Sequence, residues 1–398
     1  MSKGRLRWEG DRSLWIISLS LAVISLLSVY SASSHIAYLY GSGDIGKIVV
    51  KHLGFLVTGF GLMYVAHKFP YKRFGPLALL LLPLVAILLV VTLMQGQTIN
   101  EANASRWLRV GGMSFQTSAL AGLVLLVYVA RFLSLNEPGS YTFKTSFIQL
   151  LLPVLLVCGL ILPANLSTAL MLFLLALLLM FVGRYPMGYM LRLIGTAVAG
   201  LALFILVVKA FPGISNRVDT WESRITGFFD GSAEEGYQVQ KAKMAIAQGG
   251  LFGKGPGKSK LKHFLPQSNS DFIYAVIVEE YGFVGGAVVL LLYFILFFRI
   301  LRIASRAPTL FGQLLVTAAG SGVMVQAFIN MGVAVNVLPV TGQTLPLISA
   351  GGSSIWMSCL ALGMILSVSR ETKSSANETV PENDEEEESG SVQALSNA

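Results

Sequence analysis

Long apolar runs that carry almost no charge recur along this chain of 398 residues, and they restrict its fold more than any other feature. Each run is close to the roughly 20 residues that a helix needs to cross a hydrocarbon core of about 30 Å. The strands of a membrane barrel would alternate apolar with polar residues, and these runs do not. The pattern predicts an all-α polytopic membrane protein.

Ten runs are predicted as membrane-spanning helices, and the composition, with 54% hydrophobic and 13% charged residues, agrees. The first run lacks a cleavage pattern of small residues and is predicted to be retained. Cys158 and Cys359 fall inside apolar runs, so we interpret both as packing residues. The predicted spans are residues 14–33, 48–67, 75–94, 116–134, 146–163, 166–183, 191–211, 272–298, 312–334 and 349–369.

The distribution of basic residues predicts the orientation of these spans. With a cytoplasmic N-terminus, the inner segments hold sixteen of the 29 Lys and Arg, the short outer segments hold five, and a long loop at 212–270 holds eight. Long loops lie outside the positive-inside count, so both termini are predicted to be cytoplasmic and the loop extracytoplasmic. One miscounted span would move the loop to the other face. The net charge of +8 thus follows topology, and no nucleic-acid partner is predicted.

Three regions are predicted along the chain. Residues 1–13 form a cytoplasmic N-terminus, and residues 14–370 form the ten-helix transmembrane domain, which includes the large extracytoplasmic loop between helices 7 and 8. Residues 371–398 are predicted to be a disordered acidic cytoplasmic tail, because a polar segment with five consecutive acids at 384–388 cannot build a core. A docking segment for a soluble partner is the alternative role of that tail.

Three carboxylates mark the start of the eighth predicted span, with Asp271 at the loop boundary and Glu279 and Glu280 inside the span. Carboxylates in an apolar span are unfavourable and by default indicate a functional site. On a continuous helix, Glu279 lies about 80° from the face of Asp271, and Glu280 points to the opposite side. We predict Asp271 as a general base that faces the outer cavity, with both glutamates as buried hydrogen-bonding supports. A helix N-cap is the alternative for Asp271.

The long loop contains a predicted amphipathic helix from Val239 to Ala247, followed by glycines and lysines between Gly249 and Lys260. Glycines let the backbone approach a ligand closely, and the lysines form a cationic patch that suits a phosphate or pyrophosphate. Contact with anionic lipid headgroups is the alternative. The segment is no nucleotide P-loop, because Phe252 stands where that motif requires a glycine.

Two shorter outer segments also carry candidate binding residues. The pair Arg106–Trp107 beside glycines is either an aromatic-belt anchor or a headgroup contact, since Arg binds phosphate in a bidentate manner. The last outer loop, 336–354, has two prolines, a glycine pair and, from Thr344 onward, four hydroxyl residues. Irregular backbone of this kind is tolerated where it lines a cavity, and close helix packing by small residues is the alternative role.

Together, these motifs and their order resemble the SEDS family (FtsW/RodA/SpoVE) of bacterial cell-wall polymerases over about residues 10–370. Within the family, the segment from Thr341 to Ser349 is more similar to the division branch than to the elongation branch. The motifs that carry the resemblance are Tyr237-Gln238, the glycine-rich segment through Lys254 and Gly257, Leu265-Pro266, Asp271-Phe272-Ile273, Glu279-Glu280-Tyr281-Gly282 and the segment from Pro339 to Ser354.

The resemblance implies a peptidoglycan glycosyltransferase that polymerises lipid II at the division septum of the bacterial inner membrane, with undecaprenyl pyrophosphate as leaving group. It implies a class B penicillin-binding protein, a transpeptidase, and other divisome membrane proteins as partners. It assigns catalysis to Asp271, with Glu279 and Glu280 as supports. Basic residues or a divalent cation, Mg or Mn with ligands unknown, would offset the leaving-group charge. The residues implicated in substrate binding are Lys254, Arg217, Arg106, Trp107, Gln116, Ser118, Pro266, Ser349, Gly351, Gly352 and Ser353.

The chain departs from the family pattern just before Asp271. Many relatives carry Pro-Glu-Ala-His-Thr-Asp there, whereas this chain reads Pro-Gln-Ser-Asn-Ser-Asp at 266–271 and has no second ionisable helper in the motif. Two other classes of function stay open. A lipid II flippase would use polar residues along spans four to eight as a route across the bilayer, and a non-catalytic divisome scaffold would only position the penicillin-binding protein.

Overall fold

The computed structural model is a helical bundle with one small hairpin. It describes residues 9–39, 45–95, 107–110, 113–136, 141–210, 218, 221–224, 226, 234–260 and 270–378. The helices are α1 Arg12–Leu39, α2 Ile45–Lys68, α3 Phe74–Gln95, α4 Thr117–Leu135, α5 Phe143–Ser146, α6 Leu152–Ile161, α7 Leu166–Val182, α8 Met187–Ala210, α9 Glu234–Gly249, α10 Ile273–Ser305, α11 Leu310–Ala334 and α12 Gly352–Glu378.

Shorter elements complete the description. A 3₁₀ turn, Tyr71–Arg73, precedes α3, and a π-helical stretch, Phe147–Leu151, joins α5 to α6 in one apolar helix. Strands β1 Trp107–Val110 and β2 Met113–Gln116 pair antiparallel. The sequence pattern predicted no strand in this segment, so the hairpin is seen only in the structure.

The predicted all-α membrane fold is confirmed. Among the described residues, nine helices are long and apolar enough to cross a membrane, and α7 is a tenth, shorter apolar helix of 17 residues. Each corresponds to one of the ten predicted spans. The predicted helix in the long loop is also present, and it extends further at both ends, as α9. The protein is therefore a multi-pass membrane protein.

Small residues set how closely the spans pack. A Cβ added at Gly363 of α12 would lie 2.6 Å from the carbonyl oxygen of Met63 in α2, and one at Gly320 of α11 would lie 2.3 Å from Ile300 of α10. Close backbone approach of this kind is how membrane helices gain packing energy without a hydrophobic driving force. By contrast, α8 buries only Met190, Leu193 and Val208, so most of its surface faces away from the bundle.

Helix α10 is broken inside the bundle at Gly282, which has φ 72° and ψ −171°. The segment 250–255 of the long loop lies against the break and satisfies the backbone groups that the helix leaves open. Four backbone hydrogen bonds of 2.8–3.2 Å make this junction: Lys254 N to Glu279 O, Gly255 N to Glu280 O, Phe283 N to Gly250 O and Val284 N to Leu251 O.

The glycines of the loop are required by this junction. A Cβ at Gly253 would lie 2.1 Å from the carbonyl oxygen of Glu280, and one at Gly282 would lie 2.3 Å from that of Leu251. Both glycines also have positive φ angles, which residues with a side chain rarely adopt. The close approach that the sequence predicted for a ligand is, at these glycines, an approach to the broken helix.

The last helix runs past the predicted end of the membrane domain at residue 370. Helix α12 continues to Glu378, so the first eight residues assigned to the tail are helical. Residues 371–378 are polar except for Ala376, and they extend the helix beyond its apolar part. The acidic run at 384–388 lies outside the described residues, as do residues 1–8.

Candidate active site

A cavity of about 400 Å³ opens at the end of the bundle where α4, α7, α10 and α12 begin and α11 ends. Its mouth is polar, and its depth is apolar. The first turns of three helices contribute Ser118, Thr168 and Ser354, whereas Leu126 and Leu175 line it two turns further in. At 1.5 Å per residue, Ser118 and Leu126 are about 12 Å apart along α4. The cavity therefore suits a molecule with a polar head and a hydrocarbon tail.

Asp271 lies at the mouth of this cavity. It sits in a turn at 270–272 that precedes α10, and Phe272 is the N-cap residue, so the alternative of an N-cap role for Asp271 is wrong. Two side chains hold the backbone of the turn. Ser349 Oγ donates to the carbonyl oxygen of Ser270 at 2.6 Å, and Asn330 Nδ2 donates to that of Asp271 at 2.9 Å.

A network of side-chain amides, which sequence reasoning missed, frames the mouth. Asn330 Nδ2 also donates to the carbonyl oxygen of Gln343 at 2.7 Å, and Gln343 Nε2 donates to Thr168 Oγ1 at 2.8 Å. Gln326 Nε2 donates to both the carbonyl and the hydroxyl oxygen of Thr344 at 3.0 Å. Gln326 and Asn330 are one turn apart in an apolar span, and that spacing of polar residues is the signal that could have identified them.

The β-hairpin brings two predicted residues together at the mouth. Trp107 and Gln116 are opposite each other in the register of β1 and β2, and both line the cavity. Gln116 Nε2 donates to Ser118 Oγ at 3.3 Å, which continues the polar rim onto α4. Three other predicted binding residues, Arg106, Arg217 and Pro266, lie outside the described residues.

The predicted residues of the last outer loop have different surroundings. Gly351 lines the cavity, whereas Ser349 acts through its hydrogen bond to Ser270. A Cβ at Gly352 would lie 2.6 Å from the ring of Phe55, so this glycine lets α12 pack on α2. Ser353 is buried and does not line the cavity. Cavity lining and small-residue packing, the two alternatives for this loop, therefore both occur, at adjacent positions.

Glu279 and Glu280 are buried and hydrogen-bonded to the long loop. Glu279 accepts from Lys254 Nζ at 2.8 Å and from Ser259 Oγ at 2.5 Å. Glu280 accepts from the backbone amide of Ser259 at 3.2 Å and from the hydroxyl of Ser31. Both glutamates thus contact the loop.

The angles predicted between Asp271 and the two glutamates assumed one continuous helix, and that assumption is wrong, because Asp271 precedes the helix and shares no helical face with the glutamates. Lys254 was predicted to bind phosphate. In the structure its ammonium group forms an ion pair with Glu279, and Lys254 does not line the cavity. The glutamates therefore join the long loop to α10.

The described part of the site offers few ligands for a metal ion. No group of three or more His, Cys, Asp or Glu side chains occurs among the described residues. Asp271 is the one carboxylate among the described residues that line the cavity. These donors do not fit a divalent cation held by protein side chains alone, since such ions take several oxygen ligands.

The sequence matches the model of a protein family described as cell cycle protein, FtsW/RodA/SpoVE, over residues 11–374. The chain is 33% identical over 366 residues to stage V sporulation protein E of Bacillus subtilis (strain 168), covering 90% of this chain and 97% of that protein. It is 34% identical over 377 residues to a probable peptidoglycan glycosyltransferase FtsW of Thioalkalivibrio sulfidiphilus (strain HL-EbGR7), covering 92% and 91%.

Solved structures agree with this match. The rod shape determining protein RodA of Thermus thermophilus is similar with a TM-score of 0.65 and 26% identity, covering 92% of this chain and 99% of that one. A chain from a study of the structural coordination of polymerization and crosslinking by a peptidoglycan synthase complex has a TM-score of 0.71 and 27% identity, with the same coverage. The motifs, the fold and these matches agree, and this chain belongs to the FtsW/RodA/SpoVE family.

Proposed function

We propose that this chain is a peptidoglycan glycosyltransferase that polymerises lipid II, with Asp271 as its general base. Proteins of similar sequence are named peptidoglycan glycosyltransferases. The observation that carries the proposal is the cavity, which has a polar mouth with Asp271 and an apolar interior. Lipid II has a sugar–pyrophosphate head and a long isoprenoid tail, and this cavity matches both parts.

The reaction follows from one carboxylate at the mouth. Asp271 removes the proton from the 4-hydroxyl of the acceptor sugar, and that oxygen bonds to the anomeric carbon of the lipid-linked donor. The bond from this carbon to the pyrophosphate breaks, and undecaprenyl pyrophosphate leaves with inversion. The proton remains on Asp271, and the negative charge remains on the leaving group. We assign the offsetting positive charge to Arg106, which directly precedes Trp107 in the chain, and to Arg217.

The polar rim orients the sugars, and the apolar walls hold the tail. Amide and hydroxyl groups of Gln116, Gln326 and Thr344 line the mouth, where they can bond to sugar hydroxyls. The apolar surface that α8 leaves uncovered is a second place where a prenyl chain can lie beside the bundle. Neither feature suits a purely hydrophilic substrate.

The proposal includes a membrane, an orientation and a partner. The protein lies in the bacterial cytoplasmic membrane at the division septum, with both termini cytoplasmic and the cavity mouth outside, as the basic residues predict. Its partner is a class B penicillin-binding protein, with other divisome membrane proteins nearby. The similar chain from a peptidoglycan synthase complex supports such a partnership.

A polymerisation assay tests the proposal. The full-length protein, with and without the penicillin-binding partner, is incubated with lipid II, and glycan strands are resolved by gel electrophoresis. Asp271→Asn should lower the rate by about 100-fold or more, as expected for loss of a general base. Glu222→Gln is the matched control, because Glu222 is an exposed carboxylate of the same long loop.

Each alternative has its own outcome. Unchanged polymerisation by Asp271→Asn would remove Asp271 as the base. Lipid II that crosses vesicle membranes without being polymerised would favour the flippase. If the protein shows neither polymerisation nor lipid II transport but still binds the penicillin-binding protein, the scaffold role would be favoured.

A further inference from the structure

The end of the bundle opposite the candidate active site carries a second cavity, of about 290 Å³, that the proposed function does not use. It lies between the start of α3, the end of α4 and the start of α11. Two basic side chains line it, Lys72 from the turn before α3 and Arg131 from the last turns of α4. Leu135 and Phe311 give it an apolar side.

The two cations of this cavity lack an acidic partner in the part of the chain that the structure describes. Neither Lys72 nor Arg131 forms an ion pair with a described carboxylate. Other basic residues at the same end do, since Lys68 pairs with Glu9 at 3.1 Å and Arg299 approaches Asp11 at 3.7 Å. The cavity thus concentrates positive charge that the described residues leave without a counter-charge.

Neighbouring residues fix the walls of the cavity. The Tyr71 hydroxyl and Thr309 Oγ1 are 3.0 Å apart, and Thr309 Oγ1 accepts from the backbone amide of Gly312 at 3.0 Å. The rings of Tyr71 and Phe311 are stacked, with centroids 6.3 Å apart. A Cβ at Gly75 would lie 3.3 Å from Arg131 Cδ, so the glycine lets the arginine stem lie flat against α3. The cationic side chains therefore extend from a packed frame.

Helix direction adds to the positive potential. Helices α3 and α11 both begin at this cavity, and the N-terminus of a helix carries a partial positive charge that favours anions. Helix α4 ends there and contributes the opposite sign, which the guanidinium of Arg131 offsets. Two cationic side chains and two helix N-termini converge on a space large enough for a phosphate group.

We propose that this cavity binds the phosphate headgroup of an anionic phospholipid. Phosphate is the group that a lysine and an arginine recognise together, with the arginine able to donate two parallel hydrogen bonds. The exposed apolar residues beside it, such as Leu135 and Leu310, suit the start of the acyl chains. Basic pockets between membrane helices bind anionic headgroups in this way. The site lies at the end of the spans, where headgroups lie.

Native mass spectrometry of the full-length protein tests this proposal. Binding of phosphatidylglycerol is measured against phosphatidylcholine with identical acyl chains, so that only the headgroup charge differs. The Lys72→Gln/Arg131→Gln double variant should lose the preference for phosphatidylglycerol by about tenfold, given the attraction of two basic residues for an anionic headgroup. Arg302→Gln/Arg306→Gln removes the same charge from exposed positions at this end of the bundle and should retain the preference within about twofold.

Four results would overturn the proposal. An unchanged preference in Lys72→Gln/Arg131→Gln would exclude the cavity, and an equal loss in the control would reduce the effect to diffuse surface charge. Inorganic phosphate that alone raises the thermal stability as much as the lipid would assign the cavity to a soluble ligand. If wild type shows no preference and neutralising the acids at 384–388 creates one, the occupant is the chain's own tail.

Discussion

The side-chain amide of Asn330 holds the backbone of Asp271 in place, because its Nδ2 atom donates to the carbonyl oxygen of Asp271 at 2.9 Å. The same nitrogen donates to the carbonyl oxygen of Gln343, so one residue of α11 joins the turn that carries the proposed base to the last outer loop. Asn330 is almost fully buried and does not line the cavity. Its contribution to the reaction is therefore positional.

Asn330→Ala should slow polymerisation by about tenfold or more, because the part-buried carbonyl oxygen of Asp271 and the buried one of Gln343 lose their donor, and an unsatisfied buried acceptor costs roughly 1–3 kcal/mol. The effect should fall on kcat more than on KM for lipid II, since the substituted side chain does not line the cavity. Steady-state kinetics with varied lipid II checks this. Gln313→Ala, an exposed position near the start of the same helix, is the control, and equal kinetics for the two variants would contradict the positioning role.

Gly253→Ala should destabilise the protein more than Gly250→Ala. Both glycines have positive φ, so each substitution costs about 1–2 kcal/mol in backbone strain. A Cβ at position 253 collides with the backbone of α10, whereas nothing lies within 4 Å of one at position 250. Overpacking therefore adds roughly 1–3 kcal/mol to the cost of Gly253→Ala alone. Thermal unfolding in detergent measures both. Similar melting temperatures for the two variants would mean that the junction accommodates the added methyl group at position 253 without loss of stability.

Lys254 is expected to stabilise the loop through Glu279, and a double-mutant cycle can separate this role from binding of pyrophosphate. Lys254→Met removes the cation and one hydrogen-bond donor from a buried carboxylate and should lower stability by roughly 1–3 kcal/mol. Glu279→Gln in the same chain should recover most of that loss, because no charge is then left alone. If stability recovers and polymerisation does not, Lys254 contacts the substrate as the sequence predicted.

Gly322→Leu should block the apolar part of the cavity while the protein stays folded. Gly322 lines the cavity, and the nearest atom to a Cβ there, on Leu126, is 4.0 Å away, so a larger side chain can enter the open space. Lipid II with a full-length prenyl chain should lose binding, and an analogue with a short chain should lose less. The control is Gly61→Leu on the exposed face of α2, where nothing lies within 4 Å of an added Cβ. An equal loss for both lipids would place the tail elsewhere.

The ten spans could be predicted from the sequence because their signal is local. Length and apolar composition decide whether a segment crosses a membrane, and neither depends on the neighbours of that segment. The predicted helix in the long loop was recognisable for the same reason, from its own periodicity. Asp271 was likewise identifiable as an acid at the boundary of an apolar span.

The pairings within the site depend on distant parts of the chain, and no local pattern encodes them. Thr168 and Gln343 are hydrogen-bonded across 175 positions, and Ser31 and Glu280 across 249. The ion pair between Lys254 and Glu279 was missed because a lysine among glycines is as consistent with a phosphate ligand as with the partner of a distant carboxylate. The angles predicted from the sequence also assumed a straight helix that includes Asp271, whereas α10 begins only after that residue.

The junction at Gly282 also offers a place from which to observe the site. Its hydrogen bonds use main-chain atoms, so the exposed side chains of Leu251 and Phe252 take no part in them. The two native cysteines, Cys158 and Cys359, are buried within the bundle. Phe252→Cys would therefore supply an accessible thiol. A fluorophore or spin label attached there would report on the loop segment that is hydrogen-bonded to α10, the helix that follows Asp271.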